Sequence, residues 1–308
     1  MVIYLKRILS LILVSVLLLT LCACGNSGQA DSGKIKIIAT NFPLYDFARQ
    51  IAGDRADITM LIPPGSEVHS FEPTPKQIIE IGECDLFLYI GGESDKWVDT
   101  LLSSNPIKGT ELSLIGKVEI IETGHQHEGE HSHIADEHIW TSPKNALKMV
   151  NTIAQELCSV DSDGKDIYIA NAASYTENLN SLDNSLKEIS AKSKRKTLVF
   201  GDRFPFAYLA RDYGFDYIAA YPGCYNNTEP GAATVAAIAK RVRDESIPYI
   251  FYIEFSNQRI ATAISQESGA RLLRLHSCHN VSAQDFQNKV TYFDLMSANI
   301  KNLERALS

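Results

Sequence analysis

Eight histidines fall in three places along this 308-residue chain, and imidazole is the commonest side-chain metal ligand. His69 stands alone after a Pro-Pro-Gly turn. His125, His127, His131, His133 and His138 crowd into GHQHEGEHSHIADEHIW, residues 124–140, and His276 and His279 share HSCH near the C-terminus. A lone histidine is more often a satisfied or surface residue than a ligand, so position carries more weight than number. The run 124–133 is rich in Gly, Glu and Ser and has no periodic apolar face. Such a run is expected to stay mobile and to collect metal weakly without an ordered site. Neutral imidazole and carboxylate together suit Zn2+, and harder donor sets shift preference towards Mn2+.

The elements that must position these residues follow an α/β rhythm. Strands are expected at 34–40, 57–62, 85–90 and 118–121, with helices at 43–51, 75–82 and 94–103. Residues 142–192 hold no convincing strand. A helix over 143–158 is broken at Asp161-Ser162-Asp163-Gly164, and a second helix follows. In it Tyr175, Leu179, Leu182, Leu186 and Ile189 step by four, three, four and three, which is one helical face. At about 1.5 Å per residue this helix runs to roughly 40 Å, enough to span two domains. The rhythm then restarts with strands at 197–200, 216–219, 249–253 and 271–275 and helices at 204–213, 231–245, 257–268 and 285–307. The expected organisation is therefore an N-terminal α/β lobe (34–160), a linker helix (161–193) and a C-terminal α/β lobe (194–308). No strong internal sequence repeat links the lobes.

In open α/β sheets ligands bind beyond the carboxyl ends of the strands. His69 lies in the loop leaving strand 57–62, and His138 closes the loop leaving 118–121. Asp202 follows 197–200 and His276 follows 271–275. Two lobes facing each other would close these four ligands on one ion. Glu229 and Glu254, near strand ends of the second lobe, are either acceptors for a ligating imidazole N–H or ordinary surface and capping carboxylates.

The N-terminus sets the compartment. Lys6 and Arg7 precede an apolar run from Ile8 to Leu19, then Leu21-Cys22-Ala23-Cys24. This is an export signal over residues 1–23, and its apolar run falls short of the roughly 20 residues of a membrane span. The last four residues resemble the bacterial lipobox with Cys24 as the lipidated residue, the alternative being a plain secreted protein. Residues 24–33 then form a flexible tether. Roughly 275 residues remain after residue 33, which suits one large or two medium domains. A net charge of −8 excludes a nucleic-acid footprint. Export favours disulfides. Cys224 and Cys278 sit on the same sheet edge, and a bridge between them would close about 54 residues and add roughly 4 kcal/mol. Cys278 as a thiolate ligand is the other reading. Cys84 and Cys158 read as buried thiols.

PPGSEVHSFEPTP (63–75) resembles the first metal-ligand motif of the zinc/manganese ABC-transporter solute-binding proteins. Asp136-Glu137-His138-Ile139-Trp140 resembles the second, and Phe200-Gly201-Asp202-Arg203 with Tyr208 and Tyr213-Gly214 the third. Arg271–His276 resembles the fourth, and the likeness covers essentially the whole mature chain. It implies two Rossmann-like lobes with mainly parallel sheets, a long rigid helix joining them and a metal in the interlobe cleft. It also implies a monomeric receptor, lipid-anchored outside the cytoplasmic membrane, that delivers zinc to a permease powered by an ATPase. The metal ligands would be His69, His138, Asp202 and His276. Two positions depart from the family pattern. Arg203 stands where histidine or glutamate is usual, so Asp202 is taken as its substitute, with helix capping ahead of Phe204 as its other reading. His276 replaces a usual aspartate, which favours zinc over manganese.

Glu254 and His279 are then outer-sphere candidates. His125, His127, His131 and His133 resemble the auxiliary histidine-rich loop of zinc-type members (122–137). Manganese and iron receptors and adhesins share the fold. A zinc hydrolase would need an open coordination position and a base, and no His-Glu-x-x-His or nucleophile elbow is present, so a non-enzyme is expected.

Overall fold

Apolar four-residue runs set the fold. LFLY (86–89) and TLVF (197–200) are almost wholly buried, as the strands of a parallel sheet covered on both faces must be. The computed structural model describes residues 33–127, 130–221 and 229–308, with 123–134 by backbone only. The expected signal, the lipidated Cys24 and the tether up to residue 32 lie outside the described residues, as does Cys224. Both four-stranded sheets belong to one compact unit, Ile35–Ser308.

The first lobe runs β1 (Ile35–Ala39), α1 (Phe42–Ala52), β2 (Ala56–Met60), α2 (Pro75–Gly82), β3 (Leu86–Tyr89), α3 (Lys96–Ser104) and β4 (Thr110–Ser113). Its sheet has the order β2-β1-β3-β4 with all pairs parallel. A hairpin of β5 (Glu122–His127) and β6 (Glu130–Ala135) follows, then α4 (Pro143–Val160) and α5 (Lys165–Lys192). The second lobe contains β7 (Thr197–Phe200), α6 (Ala207–Tyr213), β8 (Asp216–Ala219), α7 (Ala232–Asp244), β9 (Tyr249–Tyr252), α8 (Arg259–Ser268), β10 (Arg271–Arg274), α9 (Ala283–Gln287) and α10 (Tyr292–Leu307). Its order is β10-β9-β7-β8, again all parallel. Counted from the second strand of each lobe, both sheets read 2-1-3-4. The topology repeats although the sequence does not.

Local chemistry explains where the helices begin. The Asn41 side chain accepts from Leu44 N–H at the start of α1, with Pro43 in its first turn. Thr74 and Gln77 form a reciprocal capping box at α2. The face of α5 expected from its spacing is buried, from Tyr168 through Tyr175, Leu179, Leu182 and Leu186 to Ile189. These residues belong to one core that also contains Leu86 and Leu88 of the first sheet and Leu198 and Phe200 of the second. Asp46, fully buried on α1, accepts from Tyr175 Oη on α5 at 3.3 Å and from the Tyr292 N–H that opens α10 at 2.7 Å.

Three expectations about elements change. Residues 118–121 are not a strand, because the place beside β3 is taken by β4, Leu86 pairing with Thr110. The histidine-rich run is not irregular: its backbone forms the antiparallel β5–β6 hairpin, with His125 opposite Ser132 and His127 opposite Glu130. The expected helix 285–307 is two helices. Lys289 turns left-handed (φ 55°), and Thr291 and Asp294 then cap α10 reciprocally.

Candidate metal centre

Three loops bring three imidazoles together. His69 sits in the loop after β2, where Gly65 takes φ +80° and its N–H bonds to Val281 O at 2.8 Å. Glu67 Oε1 accepts the N–H groups of Val68 and His69, at 3.1 and 3.2 Å, and so fixes the backbone that presents the ring. His138 follows the hairpin and directly precedes a short 3-10 turn (Ile139–Thr141). His279 lies in the loop after β10. The ligand nitrogens of these three residues all lie within 4.8 Å of one another. Ring centroids are 5.8 Å apart for His69–His138, 5.2 Å for His69–His279 and 5.3 Å for His138–His279. Zn–N bonds of about 2.0–2.1 Å put tetrahedral nitrogens roughly 3.4 Å apart, a spacing small ring movements would reach.

Two of the rings are held in a defined tautomer. The His138 Nδ1–H donates to Asp136 Oδ1 at 2.9 Å, since a carboxylate only accepts. The Ser94 hydroxyl donates to Glu137 Oε1 at 2.5 Å, so its oxygen accepts the His69 Nδ1–H at 3.0 Å. Each contact leaves Nε2 unprotonated for a metal, the outer-sphere arrangement that makes imidazole a better donor. The other Glu137 oxygen accepts Ser94 N–H at 2.8 Å. Burial works against the Glu137 carboxylate, but His69, the nearby His138 and His279 rings and Ser94 outweigh it and hold its pKa below the usual range. Burial, then repulsion from His69 and His138, pushes the His279 pKa well below that of free imidazole. His279 is therefore neutral at pH 7, as a ligand must be.

The third histidine is not the expected one. His276 is buried, and its Nδ1 accepts the Cys278 N–H at 3.0 Å, which puts its proton on Nε2. Its main chain is clamped by Asn299, which accepts His276 N–H and donates to its carbonyl, both at 2.7 Å. Cys278 is left-handed (φ 61°), and the turn there carries the chain on until His279 reaches the cleft. Cys278 itself is a free thiol, fully buried in the core, and Cys224, its expected partner, lies outside the described residues. Cys84 is likewise a buried free thiol and Cys158 a half-buried one.

The loop carrying His279 is stitched to the first lobe. Trp140 Nε1 donates to Ser277 O at 2.8 Å, Phe42 N–H to His279 O at 3.3 Å, and Asn280 Nδ2 to Pro63 O and Ser66 O at 2.9 and 3.0 Å. Glu254 accepts Ser277 N–H at 2.6 Å and the Ser277 hydroxyl, which makes it a support of this loop.

The histidines open onto a cleft of about 420 Å3 whose opposite wall includes Asp202, Arg203, Glu229, Glu254 and Phe255. Asp202 lines this cleft but does not join the three-histidine group. Its Oδ1 accepts Arg203 N–H at 2.9 Å and its Oδ2 accepts Ile253 N–H at 3.3 Å, so it works as a loop brace between β7 and β9. Glu229 pairs with Arg259 at the surface. Sequence reasoning missed Ser94, Asp136 and Glu137 as supports. A carboxylate two residues before His138 was the available signal; nothing local marks Ser94.

Two parallel sheets of one topology, with a histidine-lined cleft at their carboxyl edges, define a two-lobed solute-binding protein. The chain belongs to the ZnuA family, described as zinc-uptake complex component A periplasmic, whose model matches residues 37–306. It is 34% identical over 305 residues to the zinc-binding lipoprotein AdcA of Streptococcus pneumoniae (strain ATCC BAA-255 / R6), covering 96% of this chain and 60% of that one. The chain thus spans only about 60% of that relative's length. It is 31% identical over 316 residues to the high-affinity zinc uptake system protein ZnuA of Bacillus subtilis (strain 168), covering 98% of each. The solved Zn(II)-bound ZnuA-like domain of Streptococcus pneumoniae AdcA is 32% identical, with a TM-score of 0.76 over 89% of this chain and 99% of that one.

Proposed function

We propose that this protein is an extracytoplasmic zinc receptor that captures Zn2+ with His69, His138 and His279 and hands it to an ABC permease. The observation that carries the reading is the convergence of three imidazole ligand atoms within 4.8 Å at the cleft. An all-nitrogen set favours Zn2+ over Mn2+, which prefers oxygen donors. The relatives named for zinc binding and zinc uptake support the same reading. Three protein ligands leave a fourth position of a tetrahedral ion to water or to a carboxylate from the facing wall. The relatives named as zinc-binding and zinc-uptake proteins support a carrier role, in which the cleft binds the ion and releases it.

Residues 1–23 direct export and Cys24 carries the lipid that keeps the receptor at the outer face of the cytoplasmic membrane. The lobes, 34–160 and 194–308, move modestly about the linker helix. The permease, powered by its ATPase, accepts the ion from a monomeric receptor. Histidines 125, 127, 131 and 133 on the hairpin collect zinc weakly ahead of the tight site.

Metal analysis and competition titration of the purified protein with Zn2+ and Mn2+ test the reading. About one tightly held Zn2+ per chain is expected, lost in His69→Ala, His138→Ala and His279→Ala and kept in His276→Asn. Wild-type affinity in the His69→Ala, His138→Ala double variant overturns the site. A preference for Mn2+ overturns the ion.

A further inference from the structure

Each of two rings in the cluster has a partner for the nitrogen turned away from the ion, Asp136 for His138 and Ser94 for His69. The His279 ring, among the described residues, makes no hydrogen bond. Only its backbone does, donating to Ser277 Oγ and accepting from Phe42 N–H. His279 lines the cleft, and it also lines a second, much smaller cavity of about 10 Å3. Thr40, Asn41, Asp95 and Glu137 form part of that cavity's wall. Thr40 is 1% exposed, and its Oγ1 is a buried polar atom without a hydrogen-bond partner. Folded proteins rarely leave such a hydroxyl unpaired, because nothing offsets its loss of hydration. A single buried water needs about 10–15 Å3 and two to four polar partners. This cavity offers both.

We propose that the cavity is a site for one internal water, and that this water orients His279 as the third metal ligand. The Thr40 hydroxyl and the inner ring N–H of His279 donate to it. It donates in turn to the carboxylates of Glu137 and Asp95. The Thr40 hydroxyl and the inner His279 ring N–H then each have a partner, and His279 presents its other nitrogen, unprotonated, to the cleft. Water takes the part that Asp136 plays for His138, and Thr40 is a positioning residue that holds the water. The ligand role rests on the zinc-receptor reading; the water site does not.

A high-resolution crystal structure of the metal-free protein reads the site directly. Density for one water within hydrogen-bond distance of both Thr40 Oγ1 and a His279 ring nitrogen is expected, and a dry cavity overturns the proposal. Thr40→Val keeps the shape and removes the hydroxyl. It is expected to weaken Zn2+ binding about tenfold, the usual scale for an outer-sphere partner of a ligating histidine. Thr40→Ser is expected to bind like wild type. Unchanged zinc affinity in Thr40→Val overturns the positioning role. A wild-type protein that bound no zinc would overturn the receptor reading instead, while the cavity density would still decide the water. The density also decides it if Thr40→Val does not fold.

Discussion

One oxygen of Asp136 holds His138 at two points, accepting its backbone N–H at 2.8 Å and its ring Nδ1–H at 2.9 Å. The carboxylate fixes both the main chain and the tautomer of the proposed ligand, and it sits two residues away in the chain. Tyr208 Oη donates to the Asp136 carbonyl at 2.7 Å, so this two-residue device is anchored to α6 of the second lobe.

Asp136→Ala should therefore weaken zinc binding by about 10–100-fold while leaving one ion per chain. Asp136→Asn keeps an acceptor oxygen but loses the charge, so its loss should be smaller. Competition titration against a chelator of known affinity measures both. Equal losses in the two variants would show that the contact does not set the tautomer.

Asp95 gives a prediction about pH. Its Oδ2 accepts the N–H groups of Ile90 and Gly91, at 2.9 and 3.1 Å, yet burial pushes its pKa up to about 6. The folded pKa lies above the unfolded one, so the folded state favours the protonated form. The group's cost to stability is absent near pH 4 and complete above pH 6. Asp95→Asn keeps an oxygen for both N–H groups and cannot ionise. It should stabilise the fold by about 2–3 kcal/mol at pH 7.5 and make little difference at pH 4. Urea unfolding at the two pH values checks this, and an equal shift at both would contradict the burial argument.

What the sequence made legible follows from physics that is local. Strands β1, β3, β7 and β9 are apolar runs, and α5 shows its buried face in the spacing from Tyr175 to Ile189. The carboxyl-edge rule placed His69 after β2, where it is found, but it placed His138 after residues 118–121, which form no strand; His138 instead follows the β5–β6 hairpin. Strand β4, TELS, has only Leu112 buried and so carries no apolar period. It is a strand because β3 presents an open edge. The exchange of His276 for His279 has a similar origin. A left-handed cysteine has no sequence signal. It is held by contacts from afar, Asn299 on α10 clamping His276 and Glu254 after β9 holding Ser277. The pull of Glu254 and Asn299 on that loop is a property of the assembled second lobe.

His276 should accordingly matter for folding more than for metal. His276→Ala removes the acceptor of the buried Cys278 N–H and should cost about 1–3 kcal/mol of stability. His276→Asn, whose Oδ1 can take the place of Nδ1, should recover much of that. Both should bind zinc with stoichiometry unchanged. Thermal unfolding and metal titration of the same samples separate the two roles, and loss of the tight ion in His276→Asn would return His276 to the ligand set.

The hairpin can be removed at a point its register defines. Thr123 pairs with Ile134, so residues 124–133 can be replaced by Asn-Gly, a pair suited to a two-residue turn of the hairpin type. The strand ends on either side, and Asp136 and His138 beyond them, then keep their approach to the cleft. Zinc binding should fall from one tight ion plus weaker ones to the tight ion alone, with its affinity within about twofold of wild type, well inside the 10–100-fold scale of a lost outer-sphere contact. Isothermal titration from low to high Zn2+ resolves the two classes. If the tight ion is lost with the hairpin, histidines 125, 127, 131 and 133 contribute to the ordered site and not only to its approach.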